Sequence, residues 1–239
     1  MSMLVLDSVS KSYGALKVTD NISLSVTEGE TLGILGPNGA GKTTLFNLIS
    51  GDVRPDHGTV TFAGEGVTGL AAHKRCRLGM ARSYQVPQPF GGMTVFENCV
   101  TAASFGGQLK ETEAYAVASQ VLSETGLKAH ANTLAGGLTL LNRKRLELAR
   151  ALSTQPRLLL LDEIAGGLTE HEASVLVEEL QAIKARGVTM VWIEHVVHAL
   201  LSVADRLFVM NFGAKLAEGE PRRVMDSPEV QRVYMGMEV

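Results

Sequence analysis

Residues 36–44 read Gly36-Pro37-Asn38-Gly39-Ala40-Gly41-Lys42-Thr43-Thr44. The apolar stretch before them, at 31–35, predicts a buried strand, and the apolar spacing after them, at 45–49, predicts a helix. The pattern G-x-x-x-x-G-K-T between a strand and a helix is typical of a phosphate-binding loop. The alternative is a glycine-rich turn that carries Lys-Thr by chance, and both flanking elements count against it. We call residues 36–44 the phosphate loop.

Each part of the phosphate loop has a predicted task. The glycines let consecutive backbone N–H groups turn toward one anion, and the N-terminus of the following helix adds its positive dipole end. Lys42 is predicted to reach the β- and γ-phosphates of a nucleotide, and the Thr43 hydroxyl is predicted to bind Mg²⁺. All nine residues of the loop are therefore candidate nucleotide-binding residues.

Composition limits the class of protein. The chain has 239 residues, 45% of them hydrophobic and 20% charged, which is ordinary for a globular protein with a substantial core. The net charge of −3 provides no strong basic field for nucleic acid or anionic lipid. Two cysteines, Cys76 and Cys99, are too few for a disulfide framework and suit a reducing cytoplasm. We expect no secretory signal and no membrane span, so that any membrane role would need a partner chain.

The N-terminal part predicts a small antiparallel sheet. Apolar residues alternate with polar ones around positions 4–9 and again around 22–26, which is typical of half-buried strands. Tyr13 stands beside Gly14 in a polar turn between them. Its ring could stack on a nucleotide base, or it could anchor a loop on the core.

The middle of the chain predicts a helical insertion. A predicted strand ends near Tyr84 with Gln85 at its tip, and the run Pro87-Gln88-Pro89-Phe90-Gly91-Gly92 is a candidate hinge. Three helical segments follow, at 94–104, at 111–125 and from about Thr139. Roughly sixty residues without a strand pattern, placed between strands, indicate a separate helical subdomain.

The second half returns to alternating strands and helices. The uniform apolar strand at 157–161 ends in Asp162 and Glu163, and such a strand belongs in the middle of a parallel sheet. Acids at its end face the ligand crevice, where Asp162 is a candidate Mg²⁺ ligand and Glu163 a candidate base for the attacking water. The alternative is a pair of solvated strand-end acids. A second such strand, at 188–193, precedes His195, which either donates to a γ-phosphate or has a purely structural role.

Together these features resemble the ATP-binding subunits of ABC transporters over essentially the whole chain. The resemblance rests on GPNGAGKTT, on LARAL followed by LLLLDE, and on WIEH. It implies ATP and Mg²⁺ as cofactors, Tyr13 on the adenine, and Gln85 as a sensor of Mg²⁺ and γ-phosphate that touches the membrane partner. It also implies that Glu163 is the catalytic base and that His195 holds the γ-phosphate end.

Three further stretches, at 78–85, at 93–98 and at 210–221, look like the ATPases of branched-chain amino acid importers, as does the ending Val233-Tyr234-Met235-Gly236. ATPases for urea import and for lipopolysaccharide export share part of this pattern, so the solute is a finer expectation than the ATPase.

The family's signature L-S-G-G-Q departs most in this chain. Residues 134–138, LAGGL, look like it by eye, but the LARAL sequence that ends at Leu152 sets the register at residues 138–142, LTLLN. In that register Thr139 replaces serine and is predicted to contact a nucleotide bound by the opposite subunit, while also capping a helix. Leu140 and Leu141 replace both glycines. Three cations follow at 143–145, which indicates either an opposing nucleotide or a solvated basic face.

The predicted fold class is α/β, an ABC ATPase with a mostly parallel phosphate-loop core, an N-terminal antiparallel β-subdomain and an inserted helical subdomain. The expected division is 1–86 for the first part of the core, 87–152 for the helical subdomain with the signature, and 153–239 for the second part of the core and the C-terminal helices.

The leading functional hypothesis is an ATPase subunit that drives an importer. It would work as a nucleotide-sandwich dimer with an identical or different ATPase, on transmembrane permease subunits, with an extracellular or periplasmic solute-binding protein. It would lie in the cytoplasm on the inner face of the cell membrane. A second hypothesis is a nucleotide-gated subunit with weak hydrolysis of its own, paired with a different ATPase. A third, an ABC ATPase acting on DNA or ribosomes, lacks a basic stripe with aromatics, and we expect no nucleic-acid partner.

Overall fold

The computed structural model describes residues 1–235, and the predicted ending at Gly236 lies outside them. Across the described residues the strands are β1 (Ser2–Tyr13), β2 (Leu16–Thr27), β3 (Thr31–Leu35), β4 (His57–Phe62), β5 (Glu65–Gly66), β6 (Met80–Arg82), β7 (Leu158–Asp162), β8 (Thr189–Ile193), β9 (Arg206–Asn211) and β10 (Ala214–Gly219).

The helices in the same part of the chain are α1 (Lys42–Ser50), α2 (Ala72–Arg77), α3 (Val95–Phe105), α4 (Glu111–Glu124), α5 (Leu140–Ser153), α6 (Glu170–Ala185), α7 (Val197–Val203), α8 (Pro221–Met225) and α9 (Pro228–Met235). Short 3₁₀ turns lie at Lys128–His130 and Ala135–Gly137. In this part of the chain, no helix has both the length and the apolar character to cross a membrane.

The N-terminal strands form the expected antiparallel sheet. Its order is β2-β1-β4-β5, and β1 pairs antiparallel with both β2 and β4. Leu4, Leu6 and Val9 on β1 are buried, as are Ile22 and Leu24 on β2. The alternating pattern in the sequence therefore marks the side of this sheet that faces the core.

A second sheet of six strands has the order β10-β9-β3-β8-β7-β6. Strand β3 runs parallel to β8 and β9, β7 runs parallel to β6 and β8, and β10 is antiparallel to β9. Every residue of β3, β7 and β8 is buried. Because parallel neighbours share direction, the segments after β3, β7 and β8 meet at one edge of this sheet.

The two faces of the six-stranded sheet belong to two apolar cores. Along β7, Leu159 and Leu161 pack into one core with the helices of the insertion, while Leu158 and Leu160 pack into the other with α1. The same alternation holds along β8, where Trp192 faces the first core and Val191 the second. Burial on both faces explains why these strands are uniformly apolar in sequence.

Between β6 and β7 the described chain has three α-helices and two 3₁₀ turns joined by loops and has no strand, only an isolated bridge between Thr94 and Leu134. Helix α3 begins with a capping box in which Thr94 and Glu97 exchange hydrogen bonds, and it packs against α4 and α5. The three predicted helical segments are thus present.

One predicted element differs. The strand expected to carry Gln85 at its tip ends at Arg82, and α2 extends to Arg77, close in front of it. Helix α2 was not expected from the sequence. The basic residues in its last turn, which favour a helix C-terminus, were its local signal.

Candidate functional site

The phosphate loop joins the end of β3 to the start of α1 and is closely packed against the chain. Gly41, the N-cap of α1, has a φ of 97°, and a Cβ built there would lie 2.3 Å from the Val18 carbonyl oxygen. A Cβ on Gly36 would lie 2.5 Å from the Met210 carbonyl oxygen. These two glycines are therefore required by close approach of the backbone to β2 and β9.

A hollow of about 210 Å³ opens above the loop, lined by residues 38–44 together with Val18 and Glu163. The Lys42 side chain is only 6% exposed. Its Nζ donates to the carbonyl oxygens of Gly36 at 2.6 Å and Pro37 at 3.0 Å, which leaves one of its three donors. Burial lowers the pKa of Lys42, and the charges of Glu163 and Asp162 act in the opposite direction.

Glu163, the first residue after β7, is held at the rim of this hollow. Gln85 Nε2 donates to Glu163 Oε2 at 2.5 Å, and His195 Nε2 lies 2.8 Å from Glu163 Oε1. The Glu163 backbone has a φ of 47°, its N–H donates to Ile193 O at 2.9 Å, and its carbonyl accepts from Lys144 Nζ at 3.1 Å. A non-glycine residue in this conformation needs such support from its surroundings. Three predicted site residues, far apart in sequence, therefore meet here.

Asp162 lies one residue earlier and is 3% exposed. Its Oδ2 accepts from Arg82 Nη2 at 2.7 Å. Burial raises the pKa of Asp162, and the hydrogen bond and charge of Arg82 oppose that shift. The structure thus places Asp162 beside Glu163 but pairs it with an arginine that the sequence had not singled out as a site residue.

These residues fit a Mg²⁺-nucleotide. Mg²⁺ is normally bound by one or two protein oxygens together with phosphates and waters, and Asp162, Thr43 and Gln85 supply carboxylate, hydroxyl and amide oxygens. The loop glycines leave room for backbone N–H groups to approach an anion, with the start of α1 beneath them. The donors of the loop suit a polyphosphate, and the acids suit its cation.

Tyr13 ends β1, pairs with Leu16 at the start of β2, and has a ring that is about half exposed. Val18, two residues after Leu16, lines the hollow. Lys11 Nζ lies 5.7 Å from the centroid of the Tyr13 ring. The ring is accessible for stacking and is not an anchor buried in the core.

Helix α5 begins at Leu140, with Thr139 as its N-cap. The Thr139 side chain accepts a long hydrogen bond of 3.4 Å from the Asn142 N–H. The look-alike at 134–138 lies one turn earlier and forms the short 3₁₀ turn at Ala135–Gly137. The register set by LARAL therefore matches the start of the helix.

The three cations of this helix all bind oxygen atoms of this chain, and Arg143 also remains exposed. Arg143 donates to the carbonyls of Leu138 and Gly136, each at 2.9 Å. Lys144 is 4% exposed and reaches Glu163 O, and Arg145 pairs with Glu179 at 2.6 Å. Bonds to carbonyl and carboxylate oxygens offset the unfavourable helix dipole.

Sequence reasoning missed two groups at the site. Arg82 and Lys144 touch Asp162 and Glu163 from other elements, across 80 and 19 positions of sequence. A third acid, Glu194, is 1% exposed, and its carboxylate accepts from the N–H groups of His195 and Ala165. The sequence signal for such groups is a polar residue next to a buried strand. That signal does not identify the residue with which the group pairs.

Comparison with known proteins identifies the family of this chain. The family model described as "ABC transporter" matches residues 19–166. The high-affinity branched-chain amino acid transport ATP-binding protein LivG of Salmonella typhimurium is 35% identical over 249 residues, with 98% of each chain covered. The lipopolysaccharide export system ATP-binding protein LptB of Haemophilus influenzae is 33% identical, with 99% of this chain and 98% of that protein covered.

Among solved structures, a nucleotide-free ATP-binding cassette from an ABC transporter superposes with a TM-score of 0.89 at 29% identity, covering 99% of this chain and all of that one. The mixed sheet, the antiparallel sheet and the inserted helices are those of such a cassette. Fold, site and sequence similarity lead to one conclusion: this chain belongs to the ABC transporter family and is an ATP-binding subunit with ATPase activity.

Proposed function

We propose that the chain hydrolyses ATP to drive the import of branched-chain amino acids. It is the ATPase subunit of a transporter and lies on the inner face of the cell membrane. The observation that carries the catalytic part is the Glu163 carboxylate, held between Gln85 and His195 at the rim of the phosphate-loop hollow. The solute is inferred from the similarity to LivG, which is named as a branched-chain amino acid transport ATP-binding protein.

The loop residues and Lys42 bind the phosphates, and Tyr13 stacks on the adenine. Thr43, Asp162 and Gln85 hold the Mg²⁺, which when bound neutralises phosphate charge. Glu163 accepts a proton from the attacking water, while Gln85 and His195 fix the direction of its carboxylate. Catalysis is then mainly positioning and charge stabilisation, as expected for phosphoryl transfer.

Working partners follow from the same reasoning. We propose that the chain divides into a first core part at 1–86, a helical subdomain at 87–152 and a second core part at 153–239. The helical subdomain contains the signature, which contacts a second ATPase subunit. Thr139, at the N-terminus of α5, contacts the nucleotide of that opposite subunit. Permease subunits span the membrane, and a solute-binding protein delivers the amino acid. We expect no binding to nucleic acid.

The solute is tested by uptake in cells that carry the chromosomal Glu163→Gln variant. Uptake of labelled leucine, isoleucine and valine is expected to fall to background, while uptake of labelled urea and of an unrelated sugar stays at the wild-type level. Unchanged branched-chain uptake with lost urea uptake, or with defective lipopolysaccharide export, would refute the assignment of the solute but not that of the ATPase.

A second candidate function is a nucleotide-gated subunit with weak hydrolysis of its own. The observation that favours it is the side chain at Leu140, about half exposed at the start of α5 where the family has glycine. Such a side chain limits how closely the backbone approaches an opposing phosphate. Phosphate release by the purified chain, alone and mixed with the partner ATPase, separates the candidates. Robust hydrolysis by the isolated chain would exclude the gated subunit, and hydrolysis only in the mixture would support it.

A further inference from the structure

Arg82 is an almost fully buried arginine between the nucleotide hollow and the first helix. It is the last residue of β6, and its side chain is 7% exposed. Its guanidinium carbon lies 5.6 Å from the centroid of the Phe46 ring and 4.8 Å from that of the Tyr84 ring. These aromatic contacts and the low exposure restrict its motion.

The two ends of the guanidinium have different partners. Nη2 donates to Asp162 Oδ2 at 2.7 Å, a charge-assisted hydrogen bond between two buried groups. Nη1 donates to Asn47 Oδ1 at 2.6 Å, to Asp52 Oδ2 at 3.1 Å and to Ser50 Oγ at 3.3 Å, all at the C-terminal half of α1 or just after it. One planar group thus joins the end of β7 to α1.

That link spans the two sides of the expected Mg²⁺ site. Asn47 lies four residues after Thr43 on α1, so the two share a face of the helix. Thr43 and Asp162 are the hydroxyl and the carboxylate proposed to hold the ion. With Oδ2 bound to Arg82, the orientation of the Asp162 carboxylate is fixed, and the remaining lone pairs are available to the ion or its waters.

We propose that Arg82 is a positioning residue for Mg²⁺: it orients the Asp162 carboxylate and sets its position relative to α1. The inference rests on the proposed function, because it assumes that a Mg²⁺-nucleotide binds in this hollow. Groups that orient a metal-binding carboxylate usually affect metal affinity by about 10- to 100-fold when they are changed. Arg82 would act through Asp162 without touching nucleotide or ion.

The test is Arg82→Lys, which keeps the positive charge but cannot bridge Asp162 and Asn47 with one planar group. Binding of methylanthraniloyl-ATP to the full-length chain is measured by fluorescence, first in EDTA and then across a series of free Mg²⁺ concentrations. We expect the half-saturating Mg²⁺ concentration to rise about tenfold or more, with affinity in EDTA unchanged. Asn47→Ala removes the shortest of the three Nη1 contacts and leaves those to Ser50 and Asp52, so it is expected to shift the half-saturating Mg²⁺ concentration in the same direction by less.

Arg75→Lys is the matched control. Arg75 is also fully buried and donates to carbonyl oxygens of α1, at Leu48 and Ile49, but its partners do not include Asp162. The Arg75→Lys substitution should lower the thermal midpoint of unfolding without changing the Mg²⁺ dependence of nucleotide binding. A wild-type Mg²⁺ dependence in Arg82→Lys, a larger shift in Asn47→Ala than in Arg82→Lys, or an equal shift in Arg75→Lys would overturn this inference and leave the proposed function standing. If nucleotide binding by the wild-type chain does not depend on the Mg²⁺ concentration, the proposed ion site is wrong as well.

Discussion

Alanine substitution at two neighbouring glycines of the phosphate loop should have unequal effects on stability. Gly41 and Gly39 both have positive φ, at 97° and 81°. A Cβ on Gly41 would lie 2.3 Å from the Val18 carbonyl oxygen, whereas a Cβ on Gly39 has no atom within 4 Å. Alanine has the cost of a positive φ at both positions. Only at position 41 would its Cβ also overlap with a backbone atom.

The magnitudes follow from these two terms. A left-handed conformation costs a non-glycine residue about 1–2 kcal/mol. Overpacking against atoms that cannot move freely costs typically about 1–3 kcal/mol more. Gly39→Ala should therefore lower the free energy of unfolding by about 1.5 kcal/mol, and Gly41→Ala by about 3.5 kcal/mol. For a chain of this size the difference corresponds to roughly 4–8 °C in the thermal midpoint.

Urea unfolding of the nucleotide-free proteins, followed by circular dichroism, measures both values. Equal slopes with different midpoints would show that the free energy of unfolding has changed, while the surface exposed on unfolding has not. If the two variants unfold at the same urea concentration, or if Gly39→Ala is the less stable, the packing of the loop against β2 described above is wrong.

Three other predictions concern single side chains. Glu163→Gln should lower the rate of phosphate release by about 10²- to 10⁴-fold while ATP still binds, because an amide cannot accept the proton of the attacking water; near-normal turnover would remove Glu163 from the role of base. Thr139→Ala should destabilise the chain by about 1 kcal/mol in urea through loss of the cap of α5, whereas Thr139→Ser should not, and equal effects of the two would contradict the cap. Burial raises the pKa of Cys99 to about 11, so an aromatic disulfide reagent at neutral pH should modify Cys76 in the native chain and Cys99 only after unfolding; early modification of Cys99 would contradict its burial.

The parts of the fold that follow from local pattern were predictable. The uniform apolar runs at β7 and β8 indicated strands covered on both faces, and each ends in the polar residues that meet at the site. Since parallel strands end at one edge of a sheet, the order of motifs along the chain was enough to bring Lys42, Glu163 and His195 together. The N-cap at Thr139 was likewise a local feature that spacing could locate.

Contacts between distant residues were not predictable in the same way. Arg82 was not among the predicted site residues, because nothing within a few positions of it indicates a pair with an aspartate 80 residues away. The cations at 143–145 were interpreted from the helix dipole alone, and their actual partners include the Glu163 carbonyl and Glu179 on α6. A local electrostatic rule gives the sign of a charge effect, while the partner is set by tertiary packing.

The central claim is that the hollow above α1 holds the phosphates of ATP, with Lys42 as the principal cation. Calorimetric titration of Mg-ATP into the wild-type chain, Glu163→Gln and Lys42→Ala tests it most directly, with circular dichroism as the check on folding. The account predicts saturable binding by the first two proteins and loss of binding by folded Lys42→Ala. Wild-type affinity in Lys42→Ala would contradict it.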